Sequence, residues 1–273
     1  RAGVAVNEDD ELPTPVRLLP VHRVGVSSDD HVAVETPVAL VFNGISHAVM
    51  MASPLELEDF ALGFSLSERI VDSAADIYDI DCVPATCGSG VELRMTICGA
   101  SFMRLKEKRR SLAGSTGCGL CGLESLGALE LRMPPVGAQA AVTKAALMAA
   151  FDALAARQPL NALTGALHAA AWAGPDGAIV LAREDVGRHN ALDKLVGALA
   201  RGGARGPGFA LMSSRASYEL VQKAARADIG LLATISAPTA LAVRMAEQAG
   251  ICLVGFVRQH GCVVYSHPER LLA

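Results

Sequence analysis

Apolar and polar positions alternate along the first half of the chain in a pattern typical of β-strands. The alternation predicts strands at 21–26, 38–42, 46–51, 77–83 and 91–98. Asn43-Gly44 separates the second strand from the third, and this dipeptide favours a tight hairpin turn. Ser53, Pro54 and Glu56 supply an N-cap, a first-turn proline and a capping-box carboxylate for a helix that ends near residue 70. We therefore expect a mixed α+β first half.

In the second half, apolar strands alternate with helices. The pattern predicts helices at 141–157, 190–199, 217–227 and 238–248, strands at 179–183, 209–213, 231–235 and 252–257, and a last hairpin at 263–265. Such alternation predicts a layered α/β domain with parallel strands. We place the domain boundary at the turn-forming run 134–137. The expected organisation is a flexible tail at 1–16, an α+β domain at 17–137 and an α/β domain at 138–273.

Composition narrows the class of protein. With 51% apolar and 19% charged residues the chain is expected to be globular, and a net charge of −4 gives no basis for bulk nucleic-acid binding. Gly, Pro or charged residues interrupt the longest apolar stretches before about 18 residues, so no membrane span is expected. Seven cysteines without a visible signal peptide fit a reducing compartment. We therefore expect a cytoplasmic protein.

The first candidate for chemistry is the pair Cys118 and Cys121, which has glycine on both sides. Two thiols at this spacing can hold a metal, cycle as a disulfide or carry sulfur as a persulfide. The glycines predict an open loop. Upstream positive charge favours the thiolate, which is the nucleophile, although a basic run is also typical of a solvated helix face. The basic residues are Arg104, Lys106, Lys108, Arg109 and Arg110.

Two other roles for the pair stay open from the residues alone. A structural zinc site would need two further ligands, and the remaining cysteines are scattered in or beside apolar strands, as core residues commonly are. A thiol–disulfide oxidoreductase usually places its cysteines at a helix start within a βαβ unit, and no such unit precedes Cys118. The remaining cysteines are Cys82, Cys87, Cys98, Cys252 and Cys262.

Polar groups cluster at three strand-to-helix junctions of the second half, at 184–190, 213–215 and 236–239. In a parallel sheet such junctions lie at the carboxyl edge, where helix N-termini favour anions such as phosphate. We predict a nucleotide or other phosphate ligand at this edge, and the predicted contacts are Arg188, Ser214 and Arg215.

The same junctions also admit a purely structural interpretation. Ser213, Ser214 and Ser236 would then be ordinary helix caps. Asp185 and Arg188 would form a local ion pair.

The segment around His168 invites comparison with zinc deaminases, which use His-x-Glu and a later Pro-Cys-x-x-Cys. Here Ala170 occupies the glutamate position, and no cysteine pair follows Pro238. A deaminase-like scaffold would therefore lack its zinc chemistry. His168 is expected to be a hydrogen-bonded core histidine.

Several separated motifs together resemble one family, the formate dehydrogenase accessory sulfurtransferases of the FdhD type. The likeness runs from about Val38 to the C-terminus. The motifs are Leu57 to Phe64, Gly117 to Gly122, Thr164 to Ala171, Asp185 to Lys194 and Ile235 to Thr239.

The resemblance implies a fold and a function. The fold would be α/β, a cytidine-deaminase-like three-layer domain, with a smaller N-terminal α+β domain. The protein would be a sulfurtransferase with a cysteine persulfide intermediate, taking sulfur from a cysteine desulfurase. It would pass that sulfur to molybdenum bis(molybdopterin guanine dinucleotide), the cofactor that the formate dehydrogenase apoprotein then receives. A homodimer is implied, and no catalytic metal of the protein's own.

The resemblance also assigns residues. The persulfide falls on Cys118, with Cys121 in support. The segment that contacts the guanine dinucleotide falls on Phe256, Val257, Arg258, Gln259, His260 and Gly261, where Gln259, His260 and Cys262 depart from the family's pattern. The alternative function is a non-enzymatic chaperone that binds the molybdenum cofactor and whose cysteine pair is structural or binds zinc.

Overall fold

The computed structural model describes residues 12–85, 90–111, 133, 135–137, 141–202, 206–258 and 261–273. Four predicted site residues therefore lie outside the described residues, namely Cys118, Cys121, Gln259 and His260. Most of the predicted tail also lies outside them. In the described part of the chain, no helix is long and apolar enough to span a bilayer.

The N-terminal strands form a two-stranded hairpin. β1 (Val16–Arg23) and β2 (Val26–Ala33) are antiparallel, and Gly25 between them has a φ of 87°. The prediction of one strand at 21–26 is wrong, because that range crosses this turn. β2 contains two serines and two aspartates, so it has little of the apolar alternation that identifies strands in sequence.

A four-stranded sheet follows, with strand order β4-β3-β6-β5. Its strands are β3 (Thr36–Phe42), β4 (Ile45–Ala52), β5 (Ile77–Pro84) and β6 (Val91–Ile97). Helix α1 (Leu57–Ser67) packs on one face of this sheet, and Leu40, Phe42 and Phe60 are fully buried between them. Helix α2 (Gly99–Ser111) comes after β6. The predicted Asn43-Gly44 hairpin is confirmed, since both residues have positive φ as a tight turn requires.

The predicted cap of α1 is wrong. The helix begins at Leu57, and its N-cap is Glu56, a left-handed residue whose side chain makes no capping hydrogen bond. Ser53 is buried instead: its Oγ accepts from the backbone N–H of Val186 at 3.1 Å, and its own N–H donates to Asp185 at 2.9 Å. The serine is therefore used in contact with a distant part of the chain.

The second half forms a six-stranded sheet with the order β13-β12-β11-β10-β8-β9. A two-residue strand, β7 (Val142–Thr143), precedes these elements and pairs with β14 (Leu271–Leu272) at the C-terminus. The elements between are α3 (Lys144–Leu154), α4 (Pro159–Thr164), β8 (His168–Ala173), β9 (Ile179–Asp185), α5 (Arg188–Arg201), β10 (Phe209–Met212), α6 (Tyr218–Arg226), β11 (Leu231–Thr234), α7 (Ala240–Ala249), β12 (Cys252–Arg258) and β13 (Gly261–Val264).

Helices cover both faces of this sheet. Leu192 of α5, Leu220 of α6 and Met245 of α7 belong to the core on one face. Leu147 and Ala150 of α3 belong to the core on the other. The predicted layered α/β arrangement is confirmed.

Strand β8 was not predicted from sequence. Its run His-Ala-Ala-Ala-Trp-Ala is rich in alanine, which favours helices, yet it lies inside the sheet between β9 and β10. Ala169 and Ala171 face α3, while Ala170 and Trp172 face the layer of α5 to α7. Both faces of the strand are buried, so tertiary packing overrides the local preference.

The two sheets are joined through a close contact of α1 with α5. A Cβ atom on Gly63 would overlap the carbonyl oxygen of Asp193, and one on Gly197 would overlap the carbonyl oxygen of Asp59. Only glycine permits this approach of the two backbones. The six-stranded sheet and its edge are thereby held in a defined position against α1.

Candidate functional site

The three polar junctions lie at one edge of the six-stranded sheet, as predicted. β10, β11 and β12 are parallel. β9 points the same way, because it is antiparallel to β8, which is itself antiparallel to β10. The carboxyl ends of all four strands, and the N-termini of α5, α6 and α7, therefore meet at this edge.

Backbone contacts tie the loops of the edge together. Ala216 and Pro238 form a parallel bridge, and the N–H of Thr239 donates to the carbonyl of Ala216 at 3.0 Å. The N–H of Phe256 donates to the carbonyl of Ser236 at 3.3 Å. These contacts join the loop after β10, the loop after β11 and the end of β12.

Asp185 has a structural role, and it does not pair with Arg188. It is fully buried, and its carboxylate lies 2.7 Å from the ammonium of Lys194, which is also fully buried. It also accepts from the N–H of Gly187 at 2.8 Å and from the side chain of Asn190 at 3.0 Å. The predicted Asp185–Arg188 ion pair is wrong, because the carboxylate is already saturated by these donors.

The serines of the edge are not the helix caps that the structural interpretation predicted. Helix α6 follows Ser217, whose side chain makes no capping hydrogen bond, and α7 is capped by Thr239, which accepts from Ala242 at 3.3 Å. Ser213 Oγ accepts from the N–H of Ala169 at 2.7 Å. The Ser213 hydroxyl therefore joins its loop to β8.

The predicted anion contacts differ in exposure. Arg215 is exposed to solvent, whereas Ser214 is buried and its Oγ donates to the carbonyl of Arg215 at 3.1 Å. Arg188 is the first residue of α5 and is partly buried. Its Nε is buried and has no hydrogen-bond partner among the described residues. Arg188 thus keeps hydrogen-bonding capacity for a ligand, while Ser214 has used its donor.

Sequence reasoning did not assign His189 a role. Its Nε2 lies 2.8 Å from a carboxylate oxygen of Glu219 and 3.3 Å from Ser217 Oγ, so it connects the N-termini of α5 and α6. This hydrogen bond lowers the pKa of the Glu219 carboxyl. Its sequence signals were its place in the junction 184–190 and in the family motif Asp185 to Lys194.

His168 lies at this edge, at the start of β8. The prediction of a hydrogen-bonded core histidine is wrong, because the ring is half-buried and hydrogen-bonds to no residue in the described part of the chain. Burial, and then the nearby charges of Arg188 and His189, lower the pKa of His168, while Asp185 acts in the opposite direction. The ring is therefore mainly neutral at pH 7.

The segment assigned to the guanine dinucleotide borders the same edge. Phe256 has a φ of 52° and is 40% exposed, and the register of β12 shifts between Gly255 and Arg258. Arg258 is exposed, but Val257 is 1% exposed and packs in the core on the α3 side. Gly261 has a φ of 141°. Phe256 and Arg258 can therefore contact a ligand, while Val257 offers only its backbone.

The residues that follow the cysteine segment pack at the opposite end of the helices. Met133 belongs to the core beneath α5 to α7. The N–H of Val136 donates to the carbonyl of Ala249 at 2.8 Å, and that of Gly137 donates to Asp228 at 2.7 Å. Both acceptors lie at helix C-termini, at the end of the layer away from the carboxyl edge.

Two of the basic residues upstream of the cysteines have local partners. Arg104 pairs with Asp72 at 2.8 Å, and the ammonium of Lys106 lies 4.9 Å from the centre of the Phe102 ring. Both contacts lie on the described part of α2. They fit the interpretation of a solvated helix face for these two side chains.

Two of the described cysteines, Cys82 and Cys252, are not poised for reaction. Burial is the main cause that raises the pKa of Cys82 to about 11 and that of Cys252 to about 12, so both remain thiols at neutral pH. Within the described ranges, no group of three or more His, Cys, Asp or Glu side chains could hold a metal ion.

Much of the charge in the recognised motifs lies between the two sheets. Asp59 accepts from Arg183 at 2.8 Å and from Arg201 at 3.1 Å. Asp193 lies 2.9 Å from Lys223 and accepts from Ser67 Oγ at 2.6 Å. These residues hold the two parts of the molecule together and do not face the edge.

Comparisons with known proteins agree over nearly the whole chain. Residues 33–272 match the model of the FdhD/NarQ family. The chain is 58% identical over 246 residues to a "Sulfur carrier protein FdhD" of Cupriavidus necator, which covers 89% of this chain and 84% of that protein. It is 55% identical over 260 residues to a protein of the same name from Xanthomonas euvesicatoria, which covers 94% and 92% of the two chains.

A solved structure has the same fold. It is the crystal structure of a protein from Desulfotalea psychrophila that is described as a formate dehydrogenase accessory protein. The TM-score is 0.71 at 25% identity, and the match covers 94% of this chain and 98% of that one.

Proposed function

Because the chain belongs to the FdhD/NarQ family, we propose that it is a sulfur carrier in the maturation of formate dehydrogenase. The observation that carries the proposal is the match of residues 33–272, a range that contains the Cys118-x-x-Cys121 run, to the family model, together with relatives named as sulfur carriers. The described edge adds a surface of suitable chemistry for an anionic acceptor.

The sulfur-carrying step is a thiolate displacement. The thiolate of Cys118 attacks the outer sulfur of a persulfide on a cysteine desulfurase. The S–S bond of the donor breaks, the donor cysteine leaves as a thiolate, and Cys118 holds the transferred sulfur as a persulfide. The proposed role of Cys121 is to support this exchange.

The proposed acceptor is molybdenum bis(molybdopterin guanine dinucleotide), bound at the carboxyl edge. Arg188, Arg215 and Arg258 line this edge, and the N-termini of α5, α6 and α7 add backbone N–H groups and partial positive charge. Such groups suit diphosphates. Phe256 offers an exposed ring for stacking against a base.

Finer features of the family are part of the proposal. We infer a deaminase-like scaffold for the six-stranded sheet and its helices, with the domain boundary after residue 137. We also infer a cytoplasmic homodimer that meets a cysteine desulfurase and the formate dehydrogenase apoprotein. His168 would occupy the position of a deaminase zinc ligand but would have a role that involves no metal.

Intact-mass measurement tests the sulfur-carrier role. After incubation with a cysteine desulfurase and cysteine, the wild type should gain about one sulfur that reductant removes. Cys118→Ala should gain none, and the control Cys82→Ala, at a half-buried thiol of raised pKa, should behave as the wild type. Sulfur gain in Cys118→Ala equal to that of the wild type would contradict the assignment of the carrier residue.

A cofactor-binding chaperone without sulfur chemistry is the second candidate. It is favoured by the edge, whose described residues include no cysteine. The two candidates separate in Cys118→Ala: a chaperone keeps its support of formate dehydrogenase activity, whereas a sulfur carrier loses it.

A further inference from the structure

His168 lies between the two junctions that carry the charged groups of the edge. Its Cα is the register partner of Asp185 on β9. On the other side, the N–H of the next residue, Ala169, donates to Ser213 Oγ. The ring is therefore flanked by the start of α5 and by the loop that precedes α6.

The ring of His168 is directed toward the helix layer. Side chains alternate along a strand, and Ala170 and Trp172 of β8 both pack in the core beneath α5 to α7. His168 belongs to the same set of alternate positions. Its ring consequently lies on the side of the sheet where α5 and α6 begin.

The charges around the ring are unequally compensated. His189 is matched by Glu219 at 2.8 Å, so the nearest carboxylate of α6 is already engaged. Asp185 on β9 is paired with Lys194. Arg188 has a buried Nε without a hydrogen-bond partner among the described residues. The position beside Arg188 thus lacks a compensating anion. Burial first, and then the charges of Arg188 and His189, lower the pKa of the ring, while Asp185 acts in the opposite direction.

Resting on the diphosphate site proposed above, we propose that His168 takes up a proton when a phosphate group binds beside Arg188. The proton comes from solvent and goes to a ring nitrogen, with no covalent change in the ligand. The phosphate supplies the missing anion, and the imidazolium becomes an additional donor to it. Ligand binding and proton binding are therefore coupled at this edge.

The sign of the coupling follows from the two protonation equilibria. The pKa of His168 in the free protein is lowered from 6.5, and a bound phosphate raises it. Below the free value the ring is charged in both states, and its contribution to affinity is fully present. Between the free and bound values this contribution falls as pH rises, and above the bound value it is absent.

Calorimetry with GDP as the probe tests the coupling. Titrations at pH 7 in two buffers of different ionisation enthalpy give the number of protons taken up per GDP bound. The wild type should take up a larger fraction of a proton per GDP than His168→Asn. The titration of GDP itself is common to both proteins and cancels in the difference. His22→Asn, in the N-terminal hairpin, is the control and should match the wild type.

The pH dependence provides a second readout. The loss of GDP affinity in His168→Asn should grow as pH falls from 8 to 6, by roughly tenfold for each unit that the ligand raises the pKa. Equal proton uptake and a constant affinity ratio in the two proteins would overturn the coupling and leave the proposed site intact. Failure of the wild type to bind GDP would overturn the proposed site and the coupling with it.

Histidine ring NMR covers the case in which His168→Asn does not fold. In the wild type, the ring with a free pKa below the ordinary value should show a higher pKa when GDP is bound. An unchanged pKa for that ring in the GDP complex would overturn the proposal.

Discussion

Ionisable side chains are buried or partly buried in two parts of this molecule, and their hydrogen-bonding groups are satisfied to different extents. Between the two sheets, Lys194 and Asp185 are paired and their remaining hydrogen-bonding groups are satisfied. At the carboxyl edge, Arg188 has a buried Nε without a described partner, and His168 is half-buried without a hydrogen bond. The first arrangement stabilises one structure, whereas the second leaves capacity for a ligand.

The contrast explains why the recognised motif at 185–194 has mixed roles. In the run 185–194, Asp185, Asn190 and Lys194 face inward, and Arg188 and His189 face the edge. A motif match alone does not separate these roles. Burial and pairing do, because an ion pair inside the protein uses up the groups that a ligand would need.

Breaking a compensated pair should have the largest effect. Lys194→Met removes the ammonium and leaves Asp185 buried without its counter-ion, so the free energy of unfolding should fall by about 3–5 kcal/mol. Urea denaturation measures this loss. The control Arg94→Ala, in an exposed pair with Glu92, should cost less than about 1 kcal/mol. Similar losses in both variants would remove the distinction between the two kinds of charge.

A substitution at the contact of α1 with α5 should have the next largest effect on stability. Gly197→Ala places a methyl group against the backbone of Asp59, and separating the helices should cost about 1–3 kcal/mol. Gly99→Ala is the matched control, because a Cβ there meets no atom within 4 Å. Thermal unfolding of the two variants compares them, and equal melting temperatures would contradict the close approach.

At the edge, loss of charge should affect binding more than folding. Arg188→Gln should weaken GDP binding by roughly tenfold to a hundredfold, the range expected for a charged hydrogen bond. Its stability should change by less than about 0.5 kcal/mol, since no described partner of Nε is lost. Calorimetry measures the affinity, with Arg104→Gln on α2 as the control. A large loss of stability in Arg188→Gln would show that Arg188, like Lys194, is satisfied by partners inside the protein.

The smallest expected effect is that of the His189–Glu219 pair. Hydrogen bonding to His189 lowers the pKa of Glu219 from 4.5. A lowered pKa adds stability that is present above the unfolded value and is lost as pH falls through the folded value. His189→Gln should raise the pKa of Glu219 toward 4.5 and cost less than about 1 kcal/mol at neutral pH. Carboxyl NMR titration measures the pKa, and an unchanged value would show that another group lowers it.

Most elements of the fold could be predicted because their patterns are local. The Asn43-Gly44 hairpin and the strand–helix alternation after residue 179 follow from turn chemistry and periodicity. β2 and β8 were missed for opposite reasons, one being too polar and the other too rich in alanine. In both, pairing with a neighbouring strand decides the conformation, and pairing is not visible in a local window.

The position of the candidate site could be predicted from the sequence, but the burial and contacts of its side chains could not. Junction position alone brings Arg188, Ser214 and Arg215 to one edge, since parallel strands end together. Junction position does not reveal that Ser214 is buried or that His168 lies at the same edge. Those facts depend on the register of β8 against its neighbours.

By itself, the sequence determined the kinds of secondary-structure elements, the edge at which the polar junctions meet and the family to which the chain belongs. Each of these follows from the spacing and the types of the residues. Only the tertiary structure decided which charges are compensated. Ser53 meets Asp185 across 132 positions of sequence, and Ser67 meets Asp193 across 126. Whether a charge is free for a ligand depends on such distant partners, since burial removes the water that would otherwise satisfy it.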